Sequence, residues 1–338
     1  LKSIISSLSS KNFDPQDIEF LKRIIADNTQ DGKLLNWSGE SYDKWEGITW
    51  TENEPLQVEQ INLKIKENEE PNLYGKIDLT GFSSLRIFKC EHQKINSIDA
   101  NGLKKLEKLY LDKNQIENIS INGTINLREI YLDNNNLTHI DLSQCDKLEV
   151  ICAGKNNLQT IDCSKNHNLI ELSFNHNNLK SLDVTNNHEL LYLYCTNNQL
   201  SEIDLAKSKK LVHLSICNNR FTSVDVSSLS KLENFLCDNN EIENLDITSL
   251  KELRQLRCNK NKLATLNLTN FENVEDIECE ENQLKELRIE NLPKLTYLLC
   301  SGNGFNEITI SNVSDELEVN FNKVDFNLDP KSTLYKIL

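Results

Sequence analysis

Residues 190–231 read LLYLYCTNNQLSEIDLAKSKK followed by LVHLSICNNRFTSVDVSSLSK, and the second half lies over the first with no gap. Leu190 matches Leu211, Leu193 matches Leu214, Asn198 matches Asn219 and Leu205 matches Val226. The same 21-residue step runs outward in both directions: Leu85, Leu106, Leu127, Leu148, Leu169, Leu232, Leu253 and Leu295 share the first position, with Val274 the one departure. Eleven units therefore fill residues 85–315 (11 × 21 = 231) without insertion or deletion. A fixed period of this length marks a chain that coils and stacks on itself.

Each position in the unit has a physical reading. The fourth is apolar throughout, from Phe88 to Leu298, and alternates with polar neighbours up to the sixth, which predicts a short strand with one face buried. Equal unit lengths stack these strands in register as a parallel sheet. The apolar positions eleven, fourteen and sixteen, as in Leu179, Leu182 and Val184, read as a second short extended segment that closes the coil from the other side. The ninth position is Asn from Asn114 to Asn303, and Gln93 in the first unit is the exception. An amide there can satisfy backbone groups of its own coil and of the next, so a structural ladder is expected.

The pattern L-x-x-L-x-C/L-x-x-N-x-L-x-x-L/I-D-L/V resembles the leucine-rich-repeat family. Its length and its Cys at position six are similar to the cysteine-ladder type of internalin J and related bacterial surface proteins. The resemblance implies a β-rich α/β solenoid: a right-handed, curved parallel-sheet horseshoe with the first sheet on the concave face. An irregular first coil spans 58–84, with Val58, Ile61 and Leu63 in phase. Residues 1–57 read as the N-terminal cap, because a terminal coil would otherwise expose its core. Asp14-Pro15 starts a helix over 14–28, with Ile18, Leu21, Ile24 and Ile25 on one face. Asn36-Trp37, Trp45 and Gly47-Ile48-Thr49-Trp50 follow, and this helix-plus-tryptophan order resembles the caps of plant-like and bacterial members of the family. The three Trp are read as a small cap core. After Asp315 the period weakens, although Val319 and Phe321 keep phase, so 316–338 reads as a last partial coil or flank.

Composition narrows the work such a chain can do. The 338 residues carry 37 basic and 52 acidic side chains, a net charge of −15. Nucleic acid is not an expected partner, because its grip needs clustered Lys and Arg. No apolar run approaches the ~20 residues that cross a bilayer. The chain opens at Leu1 and contains no Met, as expected of a processed or trimmed product. No G-x-S-x-G, H-E-x-x-H or P-loop occurs, and the six His are scattered, so no catalytic residue, cofactor or metal is assigned. His176 and Cys152 fall one coil apart at unmatched positions, which is read as coincidence.

The cysteines follow the repeat. Cys90, Cys195, Cys237, Cys258, Cys279 and Cys300 occupy position six, where other units hold Leu111, Leu132, Ala153, Phe174 and Ile216. A small buried thiol in place of a core hydrophobe is the reading. In-register neighbours about 4.8 Å apart exceed the usual disulfide Cβ separation of about 3.5–4.5 Å. Cys152 and Cys217 fall at positions expected to face outward, either as reactive thiols or as tolerated small residues. The row Asp99, Asp141, Asp162, Asp183, Asp204, Asp225 and Asp246 at position fifteen is read as local backbone bonding rather than calcium binding.

Function is expected on the concave face, at positions two, three, five, seven and eight. Position two runs Arg86, Glu107, Arg128, Glu149, then Ile170, Leu191, Val212, then Glu233, Arg254, Glu275. The alternating charges predict ion pairs between adjacent coils, as do Arg257 with Glu278 and Lys260 with Glu281. The apolar break is the candidate partner site: Ile170, Leu191 and Val212, with Tyr192 and His213 at position three, Tyr194 at five and Leu236 beyond. Tyr110 and Tyr131 form a second exposed pair. Apolar surface with Tyr, rimmed by charge, fits a protein partner, with a glycan as the alternative. The expectation is a monomeric, non-enzymatic recognition or adhesion protein, secreted or on the cell surface, with a cytoplasmic location left open. The alternative is the trimmed recognition domain of a larger enzyme or effector. Lys-, Asn- and Ile-rich usage points to a bacterial source.

Overall fold

The computed structural model describes residues 11–29, 37, 41–63 and 70–320. Asn36, Phe321 and the rest of the expected C-terminal flank beyond 320 lie outside them. The chain divides into two compact units, residues 1–157 and 158–338.

The first unit begins with α1, Pro15–Asn28, whose N-cap Asp14 accepts from the Gln16 N–H at 2.9 Å. Leu21, Ile24, Ile25 and Ile18 are buried. Asp17 is buried on the same helix, and its carboxylate accepts the Val58 N–H at 2.6 Å. At the far end the Asn28 amide donates to the carbonyls of Tyr74 and Lys76 at 2.5 and 2.8 Å. Side-chain bonds at both ends thus fasten the helix to the first coil.

Trp37 and Trp45 stack at 5.3 Å and are buried, and the Trp37 indole donates to the Glu46 carbonyl at 2.7 Å. Trp50 is half-buried and meets Phe13 edge-on at 4.7 Å. The aromatic cap core expected from the sequence is what the tryptophans build. It positions β1, Ile48–Trp50, antiparallel to β2, Val58–Asn62, which covers the edge that β2 would otherwise present. Gly47 precedes β1 at φ +80°, and a Cβ there would stand 2.1 Å from the Asn62 carbonyl oxygen. Only Gly permits this approach.

From β2 the strands Ile87–Lys89, Lys108–Tyr110, Glu129–Tyr131 and Val150–Cys152 pair in parallel. The pairing Ile61↔Phe88 crosses the longer first coil, and thereafter each residue meets the one 21 positions on, as in Leu109↔Ile130. In the second unit Glu171–Ser173, Tyr192–Tyr194, His213–Ser215, Asn234–Leu236, Gln255–Arg257, Asp276–Glu278, Tyr297–Leu299 and Glu318–Asn320 do the same. The strands sit at positions three to five, with the position-four residue central and buried.

The second extended segment forms in only part of each unit. Tyr74–Asp78, Lys94–Asp99 and Asn118–Ser120 make a three-stranded sheet in the first. Asn267–Thr269, Glu286–Leu292 and Glu307–Val313 make one in the second. Coils with Asp141, Asp162, Asp183, Asp204, Asp225 and Asp246 at position fifteen turn instead. Each of these carboxylates accepts the backbone N–H two residues on, at 2.9 Å. Where position fifteen is Ser120, Asn267, Arg288 or Thr309 the backbone pairs laterally, and so does the strand that ends at Asp99, although the Asp99 carboxylate accepts the Asn101 N–H at 3.3 Å.

A candidate partner-binding face

The open face of the strand ladder is set by what lies beneath it. The position-six cysteines are buried, and none of the ten cysteines is in a disulfide. Below the turn, Asn219 shows the ladder at full strength. Its amide donates to the Cys195 and Ile216 carbonyls at 2.9 and 3.0 Å, while its oxygen accepts the Leu200 N–H at 2.9 Å. Asn114, Asn135, Asn198, Asn240, Asn261 and Asn282 repeat this pattern. Gln93, the exception in sequence, performs the same task with a longer arm. Its oxygen accepts from Asn72 and Leu73, both at 3.0 Å, and its amide donates to the Leu63 carbonyl at 2.9 Å.

Positions seven and eight differ from the expectation of freely exposed side chains. Asp112 accepts the Asp133 N–H at 2.7 Å, Asp133 that of Gly154 at 2.6 Å, and Asn175 that of Thr196 at 2.8 Å. Asp238 and Asn259 continue this second ladder, each at 2.8 Å. Burial raises the carboxyls of Asp133 and Asp238 above the usual range despite these bonds. Position eight is left-handed in every unit, from His92 (φ 60°) through Lys155 (φ 51°) and Asn218 (φ 53°) to Gly302 (φ 71°). The recurrent Asn at this position was the available cue.

Cys152 and Cys217 also depart from the outward reading, since they are only 8% and 9% exposed. Burial pushes the Cys217 thiol up to about 11, and its sulfur lies 3.9 Å from an Asp238 oxygen. Neither is presented as a reactive thiolate.

The charged rows pair as the alternation requires. Arg86 bridges Glu59 and Glu107, both at 3.0 Å, and Arg128 meets Glu149. Arg254 bridges Glu233 at 3.2 Å and Glu275 at 3.3 Å, Arg257 meets Glu278 at 3.3 Å, and Lys260 meets Glu281 at 3.5 Å.

Between the paired rows, the second unit brings the candidate residues together. Leu191 N–H donates to Ile170 O and Val212 N–H to Leu191 O, both at 2.9 Å, so the three aliphatic residues stand on adjacent turns. All three are half-buried. Tyr192 pairs with His213, and Ser215 separates Tyr194 from Leu236 along position five. Tyr192 is 37% exposed. Tyr194, His213 and Leu236 are half-buried, and the Tyr194 ring lies 4.8 Å from His213. Burial holds His213 below its ordinary pKa, so the ring is neutral at physiological pH.

Tyr297, 39% exposed in the same position-three row, was not singled out from sequence. Its position in the unit was the signal. In the first unit Tyr110 and Tyr131 stack at 4.9 Å with planes 6° apart. Lys89 sits over the Tyr110 ring at 4.7 Å, and the phenol donates to Glu129 at 3.0 Å.

The sequence profile of the Leucine Rich Repeat family matches residues 126–151 and 210–232. No curated protein matches. Among solved structures, the chain is similar to the functional domain of InlJ from Listeria monocytogenes, which includes a cysteine ladder. Identity is 21%, the TM-score is 0.64, and the match covers 74% of this chain and 67% of that one. A leucine-rich-repeat protein of Leptospira interrogans gives 20% identity and a TM-score of 0.62 over 75% and 79% of the two chains. The ectodomain of a plant receptor kinase from Arabidopsis thaliana, solved in complex with Casparian strip integrity factor 2, gives 17% and 0.69 over 90% and 47%. The fold is thus a leucine-rich-repeat solenoid with a helical cap, the cysteine-ladder resemblance included.

Proposed function

We propose that this chain is a non-enzymatic recognition module that binds a protein partner on the open face of its strand ladder, the concave face of the family resemblance. The observation that carries the reading is the interruption of an otherwise charge-paired surface by Ile170, Leu191 and Val212 on adjacent turns, with Tyr192 and Tyr194 beside them. The flanking charges of the same row are paired in register, Arg128 with Glu149 and Arg254 with Glu233, and these aliphatic side chains are half-buried. Half-buried aliphatic groups with Tyr offer desolvation energy to a partner that excludes water. His213 and Leu236 extend the contact area. Tyr110 and Tyr131 form a second contact surface on the first unit.

A protein is favoured over a glycan because the centre of the patch is aliphatic. The plant ectodomain solved in complex with Casparian strip integrity factor 2 accords with a binding role for such a fold. A secreted or surface location accords with that ectodomain and with the InlJ domain. The described residues contain no helix long and apolar enough to cross a membrane.

The test is affinity capture from candidate host or neighbour cells, read by mass spectrometry, with the wild-type chain and a Tyr192→Asp/Tyr194→Asp variant of unchanged melting temperature. The partner should be retained by the first and lost by the second. Equal capture by both removes the site.

A further inference from the structure

The charge beside the patch specifies the partner's chemistry, an inference that rests on the binding role just proposed. Position three of the second unit runs Glu171, Tyr192, His213, Asn234, Gln255, Asp276 and Tyr297, each hydrogen-bonded through its strand to the next. Ile170, Leu191 and Val212 precede the first three members of this row, Glu171 among them. At the other end the cations are already engaged: Arg254 between Glu233 and Glu275, Arg257 between Asp238 and Glu278, Lys260 against Glu281. Three cations therefore face five carboxylates. Two further acids stand among them, Asp276 and Glu280, and neither has an ion-pair partner among the described residues.

The Asp276 carboxylate accepts from Gln255 through Oδ2 at 2.7 Å, while its Oδ1 is buried without a hydrogen-bond partner, so Asp276 acts on the face through its charge. The Glu280 carboxylate accepts the Ser301 hydroxyl, and its backbone N–H donates to the Asn259 side-chain oxygen at 2.8 Å. This end of the face is thus net negative at neutral pH, on a chain whose total charge is −15. Beside it Tyr297 presents an exposed ring directly across from Asp276, the pairing of carboxylate and aromatic face that suits a guanidinium or ammonium group. Four strand spacings separate Tyr192 from Asp276, about 19 Å.

We propose that the partner is a protein segment with an apolar anchor over Ile170, Leu191 and Tyr192 and a Lys or Arg over Asp276, Glu280 and Tyr297. Extended chain covers that distance in about six residues. An acidic or neutral segment would leave the carboxylate end uncompensated.

A displayed library of random 12-residue peptides, selected on the immobilised full chain at low salt, tests this. Selected peptides should carry Lys or Arg roughly six residues from an aromatic or branched aliphatic residue. Their affinity should fall several-fold in an Asp276→Asn/Glu280→Gln variant, and again in about 0.5 M salt, where exposed charges are screened. It should also fall with Tyr192→Asp/Tyr194→Asp. Thermal melts of both variants establish that they are folded. Peptides that need the tyrosines but are neutral or acidic, or that ignore Asp276→Asn/Glu280→Gln, overturn the cationic partner and leave the binding face standing. Peptides indifferent to the tyrosine substitutions, or no enrichment over a blank surface, overturn both.

Discussion

Asn219 and Lys155 occupy neighbouring positions of the unit and carry opposite consequences for stability. The Asn219 side chain donates to three buried carbonyls and accepts from one buried N–H, in a place where water cannot substitute. Asn219→Ala should therefore cost about 3 kcal/mol or more, since each buried backbone group left unpaired costs about 1–3 kcal/mol. Lys155 holds φ at 51° with an exposed side chain. Lys155→Gly should gain roughly 0.5 kcal/mol, the left-handed penalty less the extra entropy of an unfolded Gly. Urea unfolding midpoints of the two variants should move in opposite directions. Asp17 makes a third residue-scale prediction. Burial lifts its carboxyl from 3.8 to about 6, against the lowering effect of its bond to Val58. Between those values the folded chain holds the proton more tightly than the unfolded one, so raising the pH from about 4 to 6 withdraws stability. The melting temperature of Asp17→Asn should lack this component of the decline, and an unchanged pH slope would count against the assignment.

At the scale of the element, register is set by core and surface together. The apolar fourth positions stack the coils, and the charged second positions penalise a slip. Arg254→Glu puts three carboxylates side by side with Glu233 and Glu275. It should cost about 1 kcal/mol at low salt, as a like-charge cross-strand row does. Most of the loss of melting temperature should return in about 0.5 M salt. These pairs were legible before any coordinates, because a constant 21-residue step converts sequence distance into lateral contact. The helix start at Asp14-Pro15 was legible for a similar reason, since capping is local chemistry. Other features were not, and the reasons differ. The turn at position eight is shared by His92, Lys113, Asn134 and Glu281, so side-chain identity carried a diffuse signal for a backbone conformation. The position-seven ladder depends on short acceptors reaching the next coil, which stacking alone makes visible. The patchiness of the second sheet follows position fifteen incompletely: Ser120, Asn267, Arg288 and Thr309 pair laterally, but so does Asp99, whose carboxylate makes the same turn bond as Asp141. Of the candidate site, the aliphatic row and its tyrosines were readable from phase. Tyr297 was hidden by the acidic coil that separates it from the others in sequence.

Across the whole chain, the ten cysteines report on how the solenoid is held together. All are buried and none is in a disulfide, in both units. Burial drives their thiols away from the reactive form: Cys163 and Cys300 are pushed up to about 12, and Cys237, Cys258 and Cys279 lie well above the ordinary value. The nucleophile in alkylation is the thiolate, so two barriers act at once, lack of access and lack of ionisation. The native chain should therefore take up little iodoacetamide at pH 8, while the chain in concentrated guanidinium should take up ten equivalents. In a solenoid each coil contacts its neighbours, so opening a coil uncovers the thiol of that coil and loosens the next. At intermediate denaturant, labelling read peptide by peptide should then proceed in contiguous blocks. Cys237, Cys258, Cys279 and Cys300, one per successive coil, should behave as a run and not as independent sites. Rapid labelling of any one of these four in the native chain, with its neighbours protected, would contradict the buried ladder on which the rigidity of the binding face depends.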